Sequence, residues 1–199
     1  MDQARPARKV AIVVFNQIEA LDFAGPYEVF LTSSGGGQDF QIFTVAPHEG
    51  PVVALGGLSL NPAYTIYNCP TPDLIIVPGG PGARTEKNNS TLTEWIASTA
   101  ATAELVLSVC TGALIIAKAD LLEGLNITTH HRAIEELKAA APASSVIVEN
   151  KRYVDNGKII LSAGVSAGID MSLYVVGRLL GAERALRTAS LMEYDYNPE

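Results

Sequence analysis

The sequence has few residues of the kinds that build metal centres or disulfide frameworks. Its 199 residues include only two cysteines, Cys69 and Cys110, and three histidines. Neither cysteine belongs to a CxxC pair or to a Cys/His cluster with metal-ligand spacing. We therefore expect no disulfide scaffold and no metal site.

Positive charge is also scarce. The chain has 14 lysines and arginines against 21 aspartates and glutamates, which gives a formal net charge of -7. No run of basic residues is longer than two, so phosphate backbones and anionic lipid surfaces would be repelled. We expect neither nucleic acid nor a membrane as a partner.

Long apolar runs are missing as well. The basic start of the chain resembles that of an export signal, but the apolar run at residues 10–15 is too short and has no small-residue cleavage site behind it. A hydrophobic content of 48% is nevertheless enough for a full core. These features predict one cytoplasmic globular domain spanning residues 1–199.

Short runs rich in valine and isoleucine alternate with segments of helical periodicity. The runs do not alternate with polar residues, as is typical of strands covered on both faces. Strands are predicted at residues 10–15, 74–77, 105–109, 146–148 and 159–161, and helices at 21–31, 92–101, 111–122 and 132–141. Hairpins are predicted at 52–60 and 152–160, both at the sheet edge. The expected fold is an α/β, flavodoxin-like three-layer sandwich with a mainly parallel sheet.

The most informative stretch surrounds Cys110, where a predicted strand passes into a predicted helix without a linker. Such a turn forms a nucleophile elbow at the carboxyl end of the sheet, and Gly112 leaves room for it. The helix N-terminus is expected to lower the thiol pKa and favour a nucleophilic thiolate. The alternative is that Cys110 only fills a small space in the core.

Three further groups would lie near the same edge of the sheet. Asp22 follows the first strand and could keep a proton and hydrogen-bond the sulfur, or could simply cap the next helix. Gly79 and Gly80 follow another strand and could donate amides to an oxyanion, or could merely form a turn. Either His130 or His131 could be a base for Cys110.

Five segments in a fixed order resemble the ThiJ/PfpI superfamily, a branch of the class I glutamine-amidotransferase-like fold. They are LDFAGPYEVF at 21–30, IIVPGGPG at 75–82, SVCTGALIIAKADLLEG at 108–124, TTHH at 128–131 and SAGVSAGIDMSLYVV at 162–176. The resemblance covers nearly the whole chain. It implies that Cys110 is a reactive thiol in contact with Asp22, and that the protein is a homodimer.

Within the superfamily the chain is most similar to isonitrile hydratases, which add water to a small isonitrile to give an N-substituted formamide. The similarity rests on Cys110, Thr111 and an aspartate rather than a glutamate at position 22. It implies a thioimidate intermediate, a hydrophobic substrate pocket and no cofactor, with Gly79, Gly80 and His130 at the substrate. The resemblance leaves other functions open: a glyoxalase or deglycase, a redox-sensing thiol protein, or a ligand sensor of the kind fused to AraC-type regulators.

Overall fold

The computed structural model describes residues 6–198, so residues 1–5 of the basic start discussed above lie outside it. The strands are β1 (Arg8–Val13), β2 (Phe40–Ala46), β3 (Val52–Val53), β4 (Ser59–Leu60), β5 (Tyr64–Thr65), β6 (Leu74–Val77), β7 (Leu105–Ser108), β8 (Asn126–Ile127), β9 (Val146–Ile147), β10 (Tyr153–Asp155) and β11 (Ile159–Ser162). The α-helices are α1 (Ala20–Ser33), α2 (Ala83–Glu86), α3 (Ser90–Thr102), α4 (Gly112–Lys118), α5 (Ile134–Ala140), α6 (Ala167–Leu180) and α7 (Ala182–Leu191). A 3-10 turn, His131–Ala133, precedes α5.

A seven-stranded sheet runs through the middle of the molecule in the order β10-β11-β7-β6-β1-β2-β5. All neighbouring strands are parallel except β10 and β11. Every residue of β6 and β7 is buried, as unalternating apolar strands require. The predicted α/β sandwich with a mainly parallel sheet is confirmed.

The helices form two sets that cover the sheet. One set consists of α1, α6 and α7, which contact one another, and the other includes α4 with α2, α3 and α5 around it. Each helix within residues 6–198 falls short of a membrane span in length or in apolar character.

Two predicted strand segments lie outside the main sheet. The hairpin at residues 52–60 exists, but β3 and β4 form a separate two-stranded sheet rather than an edge. The predicted strand at 146–148 is β9, which pairs only with β8, and its Val146 is 56% exposed. The hairpin of β10 and β11 does close one edge of the main sheet, as predicted.

Four adjacent parallel strands place the candidate site. In the order β11, β7, β6 and β1 they are neighbours, so their carboxyl ends meet at one edge. The segments that leave these ends carry Val165, Cys110, Gly79 and Asp22, respectively. The topology therefore brings together residues that are far apart in the sequence.

Candidate active site

Cys110 lies on the turn between β7 and α4 in a backbone conformation that non-glycine residues rarely adopt. Its φ is +55°, a conformation that costs about 1–3 kcal/mol and that the surrounding structure must hold. The Cys110 N–H donates to the carbonyl of Ala163 at 3.0 Å, and its carbonyl accepts from Thr129 Oγ1 at 2.7 Å. The sharp strand-to-helix turn predicted at Cys110 is confirmed.

Two glycines allow the elbow to approach the end of β6. A Cβ on Gly112 would overlap the carbonyl oxygen of Val77. A Cβ on Gly79 would lie 2.5 Å from the Thr111 nitrogen and 3.0 Å from Asp22 Oδ2. Only glycine fits at either position without a shift of the backbone. The close contact between the turn at Cys110 and the end of β6 therefore depends on both glycines.

Cys110 is 6% exposed and lines a cavity of about 380 Å³. The residues that line the cavity include both apolar and charged side chains. Its wall also contains Glu19, Leu55, Gly80, Pro81, Arg84, Thr111, His130, Arg132, Ala133 and Val165. The cysteine is therefore accessible from a pocket and is not sealed in the core.

Asp22 is completely buried, and its carboxyl interacts with Cys110. Its Oδ2 accepts the N–H of Gly79 at 2.9 Å. Asp22 is the third residue of α1, whose N-cap is Glu19, so the alternative in which Asp22 caps the helix is wrong. The carboxyl instead ties the start of α1 to the loop after β6.

Burial raises the pKa of Asp22 from 3.8 to about 7, against the lowering effect of the Gly79 N–H. The charge of Glu19 raises it further, and hydrogen bonding with the Cys110 thiol lowers it. Within the described residues Oδ1 has no partner in good hydrogen-bond geometry, so the contact with the thiol is imperfect. A carboxylate with this pKa is suited to move a proton near neutral pH.

The pKa of the Cys110 thiol is raised, not lowered as predicted from the helix N-terminus. Burial is the largest cause and the charge of Asp22 the second, and together they bring it to about 11. The amides of Thr111 and Val165 and the Thr111 hydroxyl lower it, but by less. Between about pH 7 and about pH 11 the pair as a whole therefore holds one proton.

The amides of Gly79 and Gly80 do not form the predicted oxyanion hole, because both are already used. Gly79 donates to Asp22, and Gly80 donates to Thr111 Oγ1 at 2.9 Å. The Thr111 hydroxyl in turn donates to the Gly80 carbonyl at 3.1 Å. These glycines hold Asp22 and Thr111 in place.

Val165 supplies an amide at the sulfur that the sequence did not reveal. It follows β11 and has a φ of +44°, which is a strained conformation for a β-branched residue. No local pattern distinguishes this valine, since its role depends on the tertiary contact with Cys110.

The structure distinguishes the two candidate histidines. His130 lines the cavity of Cys110, and its Nδ1 accepts the N–H of Arg132 at 3.2 Å, which leaves the ring proton on Nε2. Burial, His131 and Arg132 lower the pKa of His130, so its ring is neutral at neutral pH. His131 is exposed and does not line this cavity.

Three charged residues of the cavity wall were also missed by sequence reasoning. Glu19 is half-buried at the N-cap of α1, yet its side chain makes no cap hydrogen bond. Arg84 comes from α2, and Arg132 comes from the 3-10 turn beside His130. Residues 6–198 contain no group of three His, Cys, Asp or Glu side chains placed to hold a metal ion.

The fold and this site define an α/β protein with a cysteine elbow beside a buried aspartate. The sequence model of the DJ-1/PfpI family matches residues 8–178. The chain belongs to the DJ-1/PfpI family.

The relatives of this chain include proteins named as an enzyme and as a transcriptional regulator. The isonitrile hydratase of Pseudomonas putida is 34% identical over 188 residues, which are 94% of this chain and 79% of that protein. The HTH-type transcriptional regulator GbdR of Pseudomonas aeruginosa is 23% identical over 97% of this chain, which spans 52% of the regulator. A crystal structure of a ThiJ/PfpI family protein from Pseudomonas syringae has a TM-score of 0.88 and 29% identity, covering 98% of this chain and 78% of that one.

Proposed function

We propose that the protein is an isonitrile hydratase, which converts an isonitrile and water into an N-substituted formamide through Cys110. The observation that carries the proposal is the position of Cys110 on a strand-to-helix elbow, where it lines an accessible cavity and contacts the buried carboxyl of Asp22. The similarity to the isonitrile hydratase of Pseudomonas putida, over 94% of this chain, supports this choice of reaction.

The first step uses Asp22 as the base. Its carboxylate takes the thiol proton while the sulfur forms a bond to the terminal carbon of the isonitrile. The resulting carboxylic acid returns this proton to the same carbon, which gives a thioimidate, R–N=CH–S. The raised pKa of Asp22, about 7, suits both transfers.

The second step releases the product. Asp22, again a carboxylate, takes a proton from the water that attacks the thioimidate carbon. The carbon–sulfur bond then breaks to give R–NH–CHO, one proton of the water ending on nitrogen and the other on sulfur. The Nε2–H of His130 and the amides of Thr111 and Val165 are the donors available in the cavity for the developing charges.

A second candidate is a ligand-binding module without turnover. It is favoured by the similarity to the regulator GbdR, which extends over 97% of this chain. In that case the cavity would bind a small molecule, and Cys110 would be dispensable for binding.

The test is formation of the formamide from an alkyl isonitrile, followed by NMR. We expect turnover by the wild type, a loss of at least ~1,000-fold in Cys110→Ala and of about 100- to 10,000-fold in Asp22→Asn. Cys69→Ala is the matched control, because Cys69 lies outside the Cys110 cavity. Consumption of methylglyoxal instead would indicate a glyoxalase, and isonitrile binding without turnover would indicate the sensor.

A further inference from the structure

The wall of the Cys110 cavity carries charges that the proposed chemistry at sulfur does not use. The chain as a whole has a net charge of -7, yet two arginines, Arg84 and Arg132, line this cavity. Within residues 6–198, the guanidinium of Arg132 has no ion pair. An arginine without an ion-pair partner that lines the same cavity as Cys110 is a candidate for substrate recognition.

Arg84 lies in a cluster that keeps an excess of positive charge. Its guanidinium bonds Glu136 Oε2 at 2.9 Å, and Lys87 bonds Oε1 of the same carboxylate at 2.9 Å. The single carboxylate of Glu136 thus pairs with two cations, so the three side chains together carry a net positive charge. Glu136 belongs to α5, which begins two residues after Arg132, so the ion pair brings the segments of Arg84 and Arg132 together.

Among the described residues, Glu19 is the one carboxylate that lines the cavity, and it comes from a different chain segment than the arginines. Glu19 is next to Ile18, whose carbonyl accepts the N–H of Leu55 at 2.9 Å, so Glu19 and Leu55 come from joined segments. Glu19 makes no ion pair with either arginine. Burial is the largest cause of the lowered pKa of His130; both arginines lower this pKa further and Glu19 raises it, so all three charges lie near this ring of the cavity wall.

We propose that the substrate of this site carries a carboxylate in addition to its reactive group, and that Arg132, supported by Arg84, binds it. Under the proposed function, on which this inference rests, the substrate is an isonitrile of a small carboxylic acid rather than a hydrocarbon isonitrile. A guanidinium recognises a carboxylate through two parallel hydrogen bonds. The apolar residues that line the cavity, Leu55, Pro81, Ala133 and Val165, can then contact a short substituent of the substrate.

The first experiment compares isocyanoacetate with its neutral methyl ester. We expect the wild type to prefer the anion, measured as the ratio of the two kcat/KM values. Arg132→Gln should lower this ratio about 10- to 100-fold, as expected for loss of a charged hydrogen-bonded pair. Arg132→Lys should keep most of it, and Arg187→Gln, in a separate cavity, should keep all of it.

A second experiment needs no hydratase activity. Cys110 is alkylated with iodoacetate or with neutral iodoacetamide, and the rates are read from each cysteine peptide by mass spectrometry. Arg132→Gln should lower the iodoacetate-to-iodoacetamide rate ratio at Cys110 by about tenfold. Cys69 is the internal control, since no charged residue lines its cavity.

The two experiments separate the two proposals. Alkylation that depends on Arg132 without turnover of any isonitrile would support the anion site and refute the hydratase. Turnover of isonitriles with unchanged ratios in Arg132→Gln, in both experiments, would support the hydratase and refute the anion site.

Discussion

Replacing Asp22 by asparagine should change how the stability of the protein depends on pH. The asparagine keeps the size of the side chain and an oxygen that can accept the N–H of Gly79, but it has no charge to bury. The wild-type carboxyl is completely buried, so its ionisation in the folded state is costly. The variant has no carboxyl to ionise, so it does not have this cost at any pH.

The size of the effect follows from the pKa. Because folding raises the pKa of Asp22 from 3.8 to about 7, the folded chain holds this proton more tightly than the unfolded chain does. The stabilisation is complete below pH 3.8 and is lost as the pH rises through about 7. At roughly 1.4 kcal/mol for each pKa unit, the total is about 4 kcal/mol.

Urea denaturation of both proteins between about pH 4 and about pH 8 measures this effect. The free energy of unfolding of Asp22→Asn, minus that of the wild type, should increase by about 4 kcal/mol over this range. Asp120→Asn, at an exposed position, is the matched control and should show no such trend. Parallel pH curves for the wild type and Asp22→Asn would refute the assignment of a raised pKa to this carboxyl.

Three further predictions concern catalysis. The kcat/KM for isonitrile hydration should rise through about pH 7, as Asp22 ionises, and fall toward about pH 11, as Cys110 loses its proton. Glu19→Gln should move the lower limb to more acidic pH, because the charge of Glu19 raises the pKa of Asp22. Gly79→Ala should reduce kcat at least ~100-fold, because its Cβ would displace the base and the elbow amide.

The two substitutions, Glu19→Gln and Gly79→Ala, each have a control. Glu28→Gln alters an exposed carboxylate on the same helix as Glu19, and its pH profile should match that of the wild type. Gly177→Ala adds a Cβ in α6 at 3.4 Å from the nearest atom and should keep wild-type activity. A lower limb that stays in place in Glu19→Gln, or full activity in Gly79→Ala, would contradict the described site.

Local sequence patterns predicted the central part of the sheet well. The strand predicted at residues 74–77 is exactly β6, and the elbow after β7 begins where the apolar run ends. The strand β2, Phe40–Ala46, was missed because polar residues interrupt its apolar ones. The helix α6 was not predicted from its residues either; 7 of its 14 residues are buried.

The site was predicted less completely, because its properties depend on what surrounds each group. Cys110, Asp22 and Thr111 are adjacent as expected, but the thiol pKa moves the other way because burial and a neighbouring charge outweigh the helix end. Arg132 and Glu19 reach the cavity only through the tertiary fold. The homodimer remains a prediction.

The glycine contacts around the elbow have a consequence for how such a protein can diversify. A Cβ at Gly79 or Gly112 would meet backbone atoms of neighbouring segments, so almost any substitution there would disturb the packing around Cys110 and Asp22. Leu55, Arg84 and Arg132, by contrast, reach the same cavity from exposed positions on separate segments. Substitutions at these three exposed positions can therefore change which molecules bind in the cavity, while the buried residues around Cys110 stay the same during evolution.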